Sequence, residues 1–533
     1  MKKGALYFFL LLNTCLIAQE QAWVFFKEKP NSSTRIASPK DFLSEKSILR
    51  KQKYNIIIDS KDLPIEIDYI NRIKSQLDIN YLAMSKWFNA CYVEGEITDI
   101  EALLDLDIIE DIYFMNKELN SSTSEKKIHL SENLENNKIE ITSISPYGQT
   151  EIQTTQIKLN SLHNTNFTGE GITIAIMDNG FSNVDSINAF DRAREKKLLH
   201  NGYDFEDKTN NIYAYTGGSH GTTVLSTMLG FIEDSFIGTA IDAQYYLFRT
   251  EVDTSESPKE EAYWIAAAEM ADSLGVDIIN TSLGYSTFDD PKYNYTTADM
   301  DGKTTFISRA ATIALQKGML TINSAGNSGN NTWKIINAPA DSPDVLSVGA
   351  IDTNGSLASF SSIGPTADGR IKPDIVALGS PSVIINETGN ISSASGTSFS
   401  SPIIAGATAC FWQSMPNKTA KQIMDLIKLS SSLANNPNNN LGYGIPNFEF
   451  YLNTENNLEK TLKLITNPID ELLIFEFPNN WSSQKYTIYN ISGKIEMVGS
   501  LNINATIDVS QLSQGIYFLN TYTNSNLIKF VKL

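Results

Sequence analysis

Four short motifs in this chain hold residue types that can cut an amide. Asp178-Asn179-Gly180 closes the apolar run Ile172–Met177. Ser219-His220-Gly221-Thr222-Thr223-Val224 opens a helix-like stretch. Ser395-Gly396-Thr397-Ser398 leads through Pro402 into a second one, Ile403–Trp412. Asn323-Ser324-Ala325-Gly326-Asn327 follows the apolar run Met319–Ile322. A serine hydroxyl is a weak nucleophile at neutral pH. It needs a base within hydrogen-bond reach, and the base needs a third group to hold its tautomer. Asp178, His220 and Ser398 can fill those roles, and the Asn327 amide can donate to a developing oxyanion. A helix beginning near Ser398 would add backbone N–H groups and a positive dipole end. Gly221 and Gly396 would let backbone and substrate approach closely.

Taken singly, each motif has a plainer explanation. Asp-Asn-Gly is a common turn, Gly-Thr-Ser a common helix start, and a lone histidine is usually a surface or satisfied one. The histidine count decides between them. The chain has four. His129 falls in a polar stretch, His163 in Ser161–Asn164 and His200 in a basic loop, none of them in a motif. A serine triad has essentially one candidate base, His220.

The elements that must position these residues can be read from periodicity. Ile172–Met177, Val276–Asn280, Met319–Asn323 and Asp344–Ala350 are near-continuous apolar runs. Such runs are strands buried on both faces of a parallel sheet. Helical patterns at Glu261–Leu274 and Phe306–Lys317 alternate with them, which predicts an α/β domain with a doubly wound, mostly parallel sheet over residues 151–452. Ligands of such sheets bind beyond the carboxyl ends of the strands, where the four motifs lie. Upstream, residues 20–115 alternate strands (Trp23–Phe26, Tyr54–Ile58, Phe88–Glu94, Ile108–Phe114) with helices (Ile65–Leu77, Asp99–Leu104), a small α+β unit. Residues 116–150 turn polar and read as a linker. An α+β unit and a linker ahead of a catalytic domain have the shape of a cleavable propeptide, and Lys117, Lys126, Lys127 and Lys138 each offer a cut site. Residues 453–533 lose helical periodicity. Short alternating runs at Leu472–Phe477, Tyr486–Ile491, Ile495–Val498, Ile507–Val509, Ile516–Leu519 and Leu527–Val531 predict a small all-β sandwich.

Lys2, Lys3 and the short apolar run Ala5–Leu12 read as a secretory signal over residues 1–19, cut near Ala18 or Gln19. Thr14 is a poor residue before Cys15 for lipidation. The balance of 42 Lys+Arg against 61 Asp+Glu gives −19, the wrong sign for binding phosphate backbones. Three cysteines, Cys15, Cys91 and Cys410, build no disulfide framework or zinc site. Cys15 and Cys91 should leave with the signal and propeptide, and Cys410 reads as a small buried hydrophobe.

The order Asp…His…Ser is that of the subtilisin-like serine peptidases (peptidase S8), and residues 165–450 closely resemble that family. His220-Gly-Thr and Gly396-Thr-Ser398 through Pro402 match its histidine and serine motifs. Ser324-Ala-Gly-Asn327 matches its oxyanion segment, and Asn280-Thr-Ser282-Leu283-Gly284 its pocket-lining strand. The resemblance implies that Asp178 orients, His220 is the base, Ser398 the nucleophile and Asn327 the oxyanion donor. It also implies that Ser282, Leu283, Gly284, Ser324, Ala325 and Gly326 contact substrate. One departure is Asn179, where the family has Ser or Thr; tuned activity is expected. Residues 463–533 resemble the C-terminal sorting domain of type IX secretion cargo in Bacteroidetes, through Asn467-Pro468, Ser492-Gly493-Lys494, Asp508-Val509-Ser510 and Gly515-Ile516-Tyr517. That implies an Ig-like sandwich.

The expected protein is a serine endopeptidase made as a zymogen and exported through the periplasm to the cell surface or medium. It would act on protein or peptide substrates, engage the type IX machinery through its tail, work as a monomer and need no cofactor. Activity should fall on acidification through about pH 6–7. The acidic loop at Asp289, Asp290, Asp299 and Asp301-Gly302 lacks the EF-hand spacing and reads as solvated; structural calcium is the alternative there. Two rival readings are a sedolisin-type acid peptidase, against which His220 speaks, and a silent surface-binding protein on the same scaffold.

Overall fold

The computed structural model describes residues 19–120, 145–450, 463–476, 484–502, 506–521 and 527–533. The signal segment, His129 and most of the polar linker lie outside the described residues. Residues 1–448 and 449–533 form two units.

The N-terminal part of the first unit pairs β1 (Glu20–Phe26), β2 (Asn80–Ser85), β3 (Ala90–Gly95) and β4 (Ile109–Phe114) in the antiparallel order β2-β3-β1-β4. Helices α1 (Glu45–Lys53), α2 (Ile67–Lys74) and α3 (Ile97–Ala102) accompany it. One side of this sheet holds its own core, with Val24, Phe26, Ile70, Ile73, Val93 and Ile100. The other side carries Trp23, Tyr92 and Phe88, which join the core of the following domain.

That domain is built on a seven-stranded parallel sheet. Its strands are β5 (Thr173–Asp178), β6 (Tyr203–Asp204), β7 (Gln244–Arg249), β8 (Ile278–Thr281), β9 (Leu320–Ser324), β10 (Val345–Asp352) and β11 (Ile375–Ser380). The order β11-β10-β9-β8-β5-β7-β6 reverses direction of growth at β5. All residues of β5, β8 and β9 are buried, as expected of strands covered on both faces. Helices α4 (His220–Leu229) and α7 (Thr397–Ser414) pack together on the sheet. Helices α5 (Lys259–Leu274) and α6 (Phe306–Gln316) pack on its other side, where Ala175, Met177 and Ile279 share their core. The N-terminal sheet lies on the outside of α5 and α6. There Trp23, Phe25, Phe88 and Tyr113 ring Phe306 at centroid distances of 5.3 to 6.3 Å.

Several sequence expectations change. Tyr54–Ile58 is not a strand. Asn55 takes a left-handed conformation, φ 56°, and Ile57 is 79% exposed. With no strand edge to join, the segment returns from α1 and carries Asp59 and Asp62 to Lys317. The helix expected at Ile65–Leu77 is shorter, Ile67–Lys74. The serine helix begins at Thr397, as a start near Ser398 requires, and so takes in the residues ahead of Ile403. The polar stretch ends before residue 150: Tyr147 and Thr150 are buried, and the Thr150 hydroxyl donates to Ile237 O at 2.9 Å. Lys117 pairs with Asp299 at 2.8 Å and lies over the Tyr295 ring, so it is held rather than offered as a cut site.

The second unit is all β in its described residues. Gln484–Asn490, Ile495–Leu501, Gly515–Thr521 and Ile528–Lys532 form a four-stranded antiparallel sheet. The run expected as one strand at Leu472–Phe477 is two. Leu472–Leu473 pairs with Ile507–Asp508, and Phe475–Glu476 pairs with Lys463–Leu464.

Candidate active site

The four motifs converge at the carboxyl ends of β5, β8 and β9. Asp178 is the last residue of β5 and is fully buried. Its Oδ1 accepts from His220 Nδ1 at 2.7 Å and from the backbone N–H of Asn179 at 2.9 Å. His220 is the first residue of α4, and its side chain keeps 31% of its exposure. Gly221 permits the approach: a Cβ there would meet Gly180 O at 2.5 Å and Asp178 Cβ at 3.0 Å. With Nδ1–H on Asp178, the neutral ring has its acceptor lone pair on Nε2.

Ser398 is the second residue of α7, and the adjacent Phe399 ring stands 5.9 Å from that of His220. Pro402 lies four residues further along the same helix. It has no N–H to give the Ser398 carbonyl. Ser282 Oγ donates to that carbonyl instead, at 3.0 Å, and the Ser398 hydroxyl donates back to Ser282 O at 3.2 Å. The proline thus ties the serine to the end of β8, and Ser401 adds a bond to Asn280 Oδ1 at 3.1 Å.

Asn327 faces the same point from beyond β9. Its Oδ1 accepts from Thr397 N at 2.9 Å and Thr397 Oγ1 at 3.0 Å. A backbone N–H can only donate, so the amide orientation is fixed and Nδ2 is the end left for another acceptor. Nδ2 lies 3.7 Å from where a Cβ on Gly396 would stand. Ser282, Leu283 and Gly284 run on from β8, and Ser324, Ala325 and Gly326 from β9. Asn323 Nδ2 ties the two segments by donating to Leu283 O at 3.0 Å.

Two residues without a sequence signal, Tyr215 and Asp253, meet Asn179 here. Asn179 Nδ2 donates to Asp253 Oδ1 at 2.8 Å, and Tyr215 Oη donates to Asp253 Oδ2 at 2.5 Å. Burial works to lower the His220 pKa, but the hydrogen-bonded Asp178 carboxylate and then Asp253 outweigh it and leave it raised. Nothing in the polar stretch around Asp253 marks it as a neighbour of His220, because folding alone brings them together. Two other histidines lie elsewhere. His163 bonds Tyr147 Oη at 3.0 Å and Thr239 O at 3.1 Å, and His200 stacks on Tyr246.

In the acidic loop, each carboxylate already has a protein partner. Asp289 accepts from Glu256 N, Asp290 pairs with Lys292, Asp299 caps Thr296 N and Asp301 accepts from Lys303 N and Thr304 N. Among the described residues, no group of three or more His, Cys, Asp or Glu side chains is placed to hold a metal ion. The Cys410 thiol is buried and donates to Thr239 O at 3.1 Å.

A family model described as the subtilase family matches residues 169–444, more than half of the chain. The chain belongs to the subtilase family. A peptidase S8 propeptide domain of Bacteroidota matches residues 21–131, and a secretion system C-terminal sorting domain matches residues 464–533. Among characterised relatives, subtilisin NAT of Bacillus subtilis subsp. natto is 27% identical over 296 residues, covering 55% of this chain and 67% of its own. The subtilisin of Bacillus pumilus is 26% identical over 291 residues, covering 54% of this chain and 91% of its own. A cold adapted subtilisin-like serine proteinase of known structure is 25% identical, with a TM-score of 0.40, over 52% of this chain and 90% of its own. This subtilase is a serine-type endopeptidase made as a zymogen, with a propeptide domain matched over residues 21–131. Its tail directs type IX secretion to the cell surface or the extracellular space. No described helix is long and apolar enough to cross a membrane.

Proposed function

We propose that Ser398, His220 and Asp178 hydrolyse peptide bonds through an acyl-enzyme, with Asn327 and the Ser398 backbone N–H holding the oxyanion. The observation that carries this is the 2.7 Å contact between His220 Nδ1 and the fully buried Asp178. In the first step the Ser398 hydroxyl turns from Ser282 O to His220 Nε2 and gives up its proton as Oγ attacks the carbonyl carbon. The Asp178 carboxylate holds the ring and stabilises the imidazolium. Negative charge gathers on the former carbonyl oxygen, toward which Asn327 Nδ2 is free to donate. Collapse breaks the C–N bond as His220 protonates the leaving amine. Water then repeats the sequence and frees the acid and Ser398. Ser282–Gly284 and Ser324–Gly326 offer strand-like backbone to an extended substrate.

The sedolisin reading needs a carboxylic acid where His220 stands, and no observation favours it. We further read residues 1–19 as the signal, the cut that frees the enzyme as falling within residues 116–150, and residues 453–533 as an Ig-like sandwich. The shared core of Leu473, Ile488, Leu519 and Phe530 supports the last.

A fluorophosphonate probe tests the central claim. It should label the processed protein, and Ser398→Ala should abolish labelling. Correctly folded wild type that stays unlabelled would leave only the silent surface-binding reading.

A further inference from the structure

We propose that Asn337 closes the slot between Leu283–Gly284 and Ala325–Gly326 and restricts the residue on the acyl side of the scissile bond to small or short polar side chains. The proposal rests on the reading of that slot as the substrate pocket of Ser398 and names the substrate class it takes.

The segment Ile336–Ala338 spans from one wall of the slot to the other. Ala338 and Tyr285 exchange backbone hydrogen bonds of 3.2 and 2.8 Å, and Asn337 N donates to Ala325 O at 3.4 Å. Asn337 sits at the middle of this cross-piece with only 8% of its surface exposed. Its Nδ2 donates to Gly284 O at 3.4 Å, which fixes the amide orientation. Its Oδ1 is buried without a hydrogen-bond partner among the described residues.

The two glycines show which space the asparagine fills. A Cβ on Gly284 would stand 2.9 Å from Asn337 Cβ and 3.4 Å from Nδ2. A Cβ on Gly326, where φ is +106°, would stand 3.3 Å from Asn337 Cγ, 3.4 Å from Nδ2 and 2.9 Å from Ser362 Oγ. Asn337 thus packs directly against both glycines, with Ser362 beside Gly326, and takes up the space that side chains at these two positions would need.

Two physical effects then act in the same direction. A large apolar side chain meets the asparagine, and overfilling a packed site is costly. It also offers the buried, unpaired Oδ1 no donor, whereas a short hydroxyl can pair with it. A methyl or a short hydroxyl does not overfill the site. A buried polar atom without a partner is also what stability alone would remove, and such exceptions gather at functional sites.

The test uses processed full-length enzyme and peptides that differ only at the residue before the cut: Ala, Ser, Leu and Phe. Wild type should prefer Ala and Ser over Phe by about tenfold or more in kcat/KM. Asn337→Gly should move the Phe-to-Ala ratio toward Phe by a similar factor, and Asn337→Ser by less. Wild type that cleaves Phe as well as Ala would overturn the proposal, and that result needs no variant to fold. An unchanged ratio in folded Asn337→Gly would overturn it as well. Fluorophosphonate labelling of the same wild-type preparation separates the two claims. Labelled enzyme with a flat preference sinks the pocket and leaves the Ser398 chemistry, whereas unlabelled folded enzyme sinks both.

Discussion

His220 is the group through which this site should titrate, and its partners come from two kinds of place. Asp178, on which it rests, ends a strand in a motif that the sequence marks. Asp253, which also raises its pKa, lies in an unremarkable polar stretch and is held by Asn179 and Tyr215. The base must be neutral, so activity is lost as pH falls through the pKa of His220. Asp253 raises that pKa, and removing its charge must lower it. In Asp253→Asn the acidic limb of kcat/KM should therefore move to lower pH. A limb that stays in place, or moves upward, would show that Asp253 does not act on His220. The same contrast separates what could be read from the chain. Asp178, His220, Ser398 and Asn327 each follow or begin a periodic element beside a small residue, a local pattern. Asp253 and Asn337 reach the site only because the fold brings them to partners 74 and 53 residues away in the chain, Asn179 and Gly284. Asn179, the departure from the family pattern, finds its use in the same way: its amide holds Asp253.

At the level of elements, β1, β3 and β4 were legible in the sequence as apolar runs, whereas β2 and the use made of α1 were not. This helix carries Arg50 and Lys51 inward, where both are buried. Both reach Asp272 near the end of α5, at 2.5 and 2.8 Å. Lys51 also meets Asp62 at 3.0 Å, and Asp62 meets Lys317 at 2.7 Å. All five side chains are at most 4% exposed. Alternating charges thus run from prodomain to catalytic domain and back. Burial pushes the Asp62 carboxyl up, but Lys51 and Lys317 outweigh it and hold it down at about 2. A depressed carboxyl contributes stability that is full above its unfolded pKa, near 3.9, and is lost progressively as pH falls from there through about 2. Mild acid should therefore leave the prodomain in place. Breaking the network should not. Asp272→Ala leaves two buried cations without their shared anion, a change that costs about 3–5 kcal/mol in comparable pairs. After the linker is cut, the prodomain of this variant should separate from the enzyme on gel filtration under conditions where the wild-type pair co-elutes. Co-elution of the folded variant would show that the aromatic packing around Phe306 suffices without the ion pairs.

For the whole molecule, the formal charge of −19 counts every glutamate as ionised, and the fold does not treat them so. Glu261, on α5, is fully buried against Tyr295, which donates to it at 2.9 Å, and burial pushes its carboxyl up to about 8. Burial also raises Glu251, Glu256 and Glu260; repulsion adds to it, from Glu256 at Glu251, from Glu251 and Glu256 at Glu260, and from Asp289 at Glu256. Glu260 accepts from the N–H groups of Val252 and Ser257 and Glu251 from Tyr285, so these acids pin the loop that carries Asp253. No composition count could show this, since it depends on which glutamates α5 turns inward. Near neutral pH, part of the acidity is held as protons on groups that would lose them on unfolding. A carboxyl raised in the folded state contributes stability that is full below its unfolded pKa, near 4.3–4.5, and is lost as pH rises through the folded value. The chain should accordingly melt at its highest temperature in mild acid, and Tm should fall as pH rises from about 5 to 9. Glu261→Gln, which keeps a neutral partner for Tyr295 and cannot ionise, should make that slope shallower by calorimetry. A Tm that holds level or climbs over this range would mean that these glutamates are already ionised in the folded protein and that the loop beside His220 is held by other contacts.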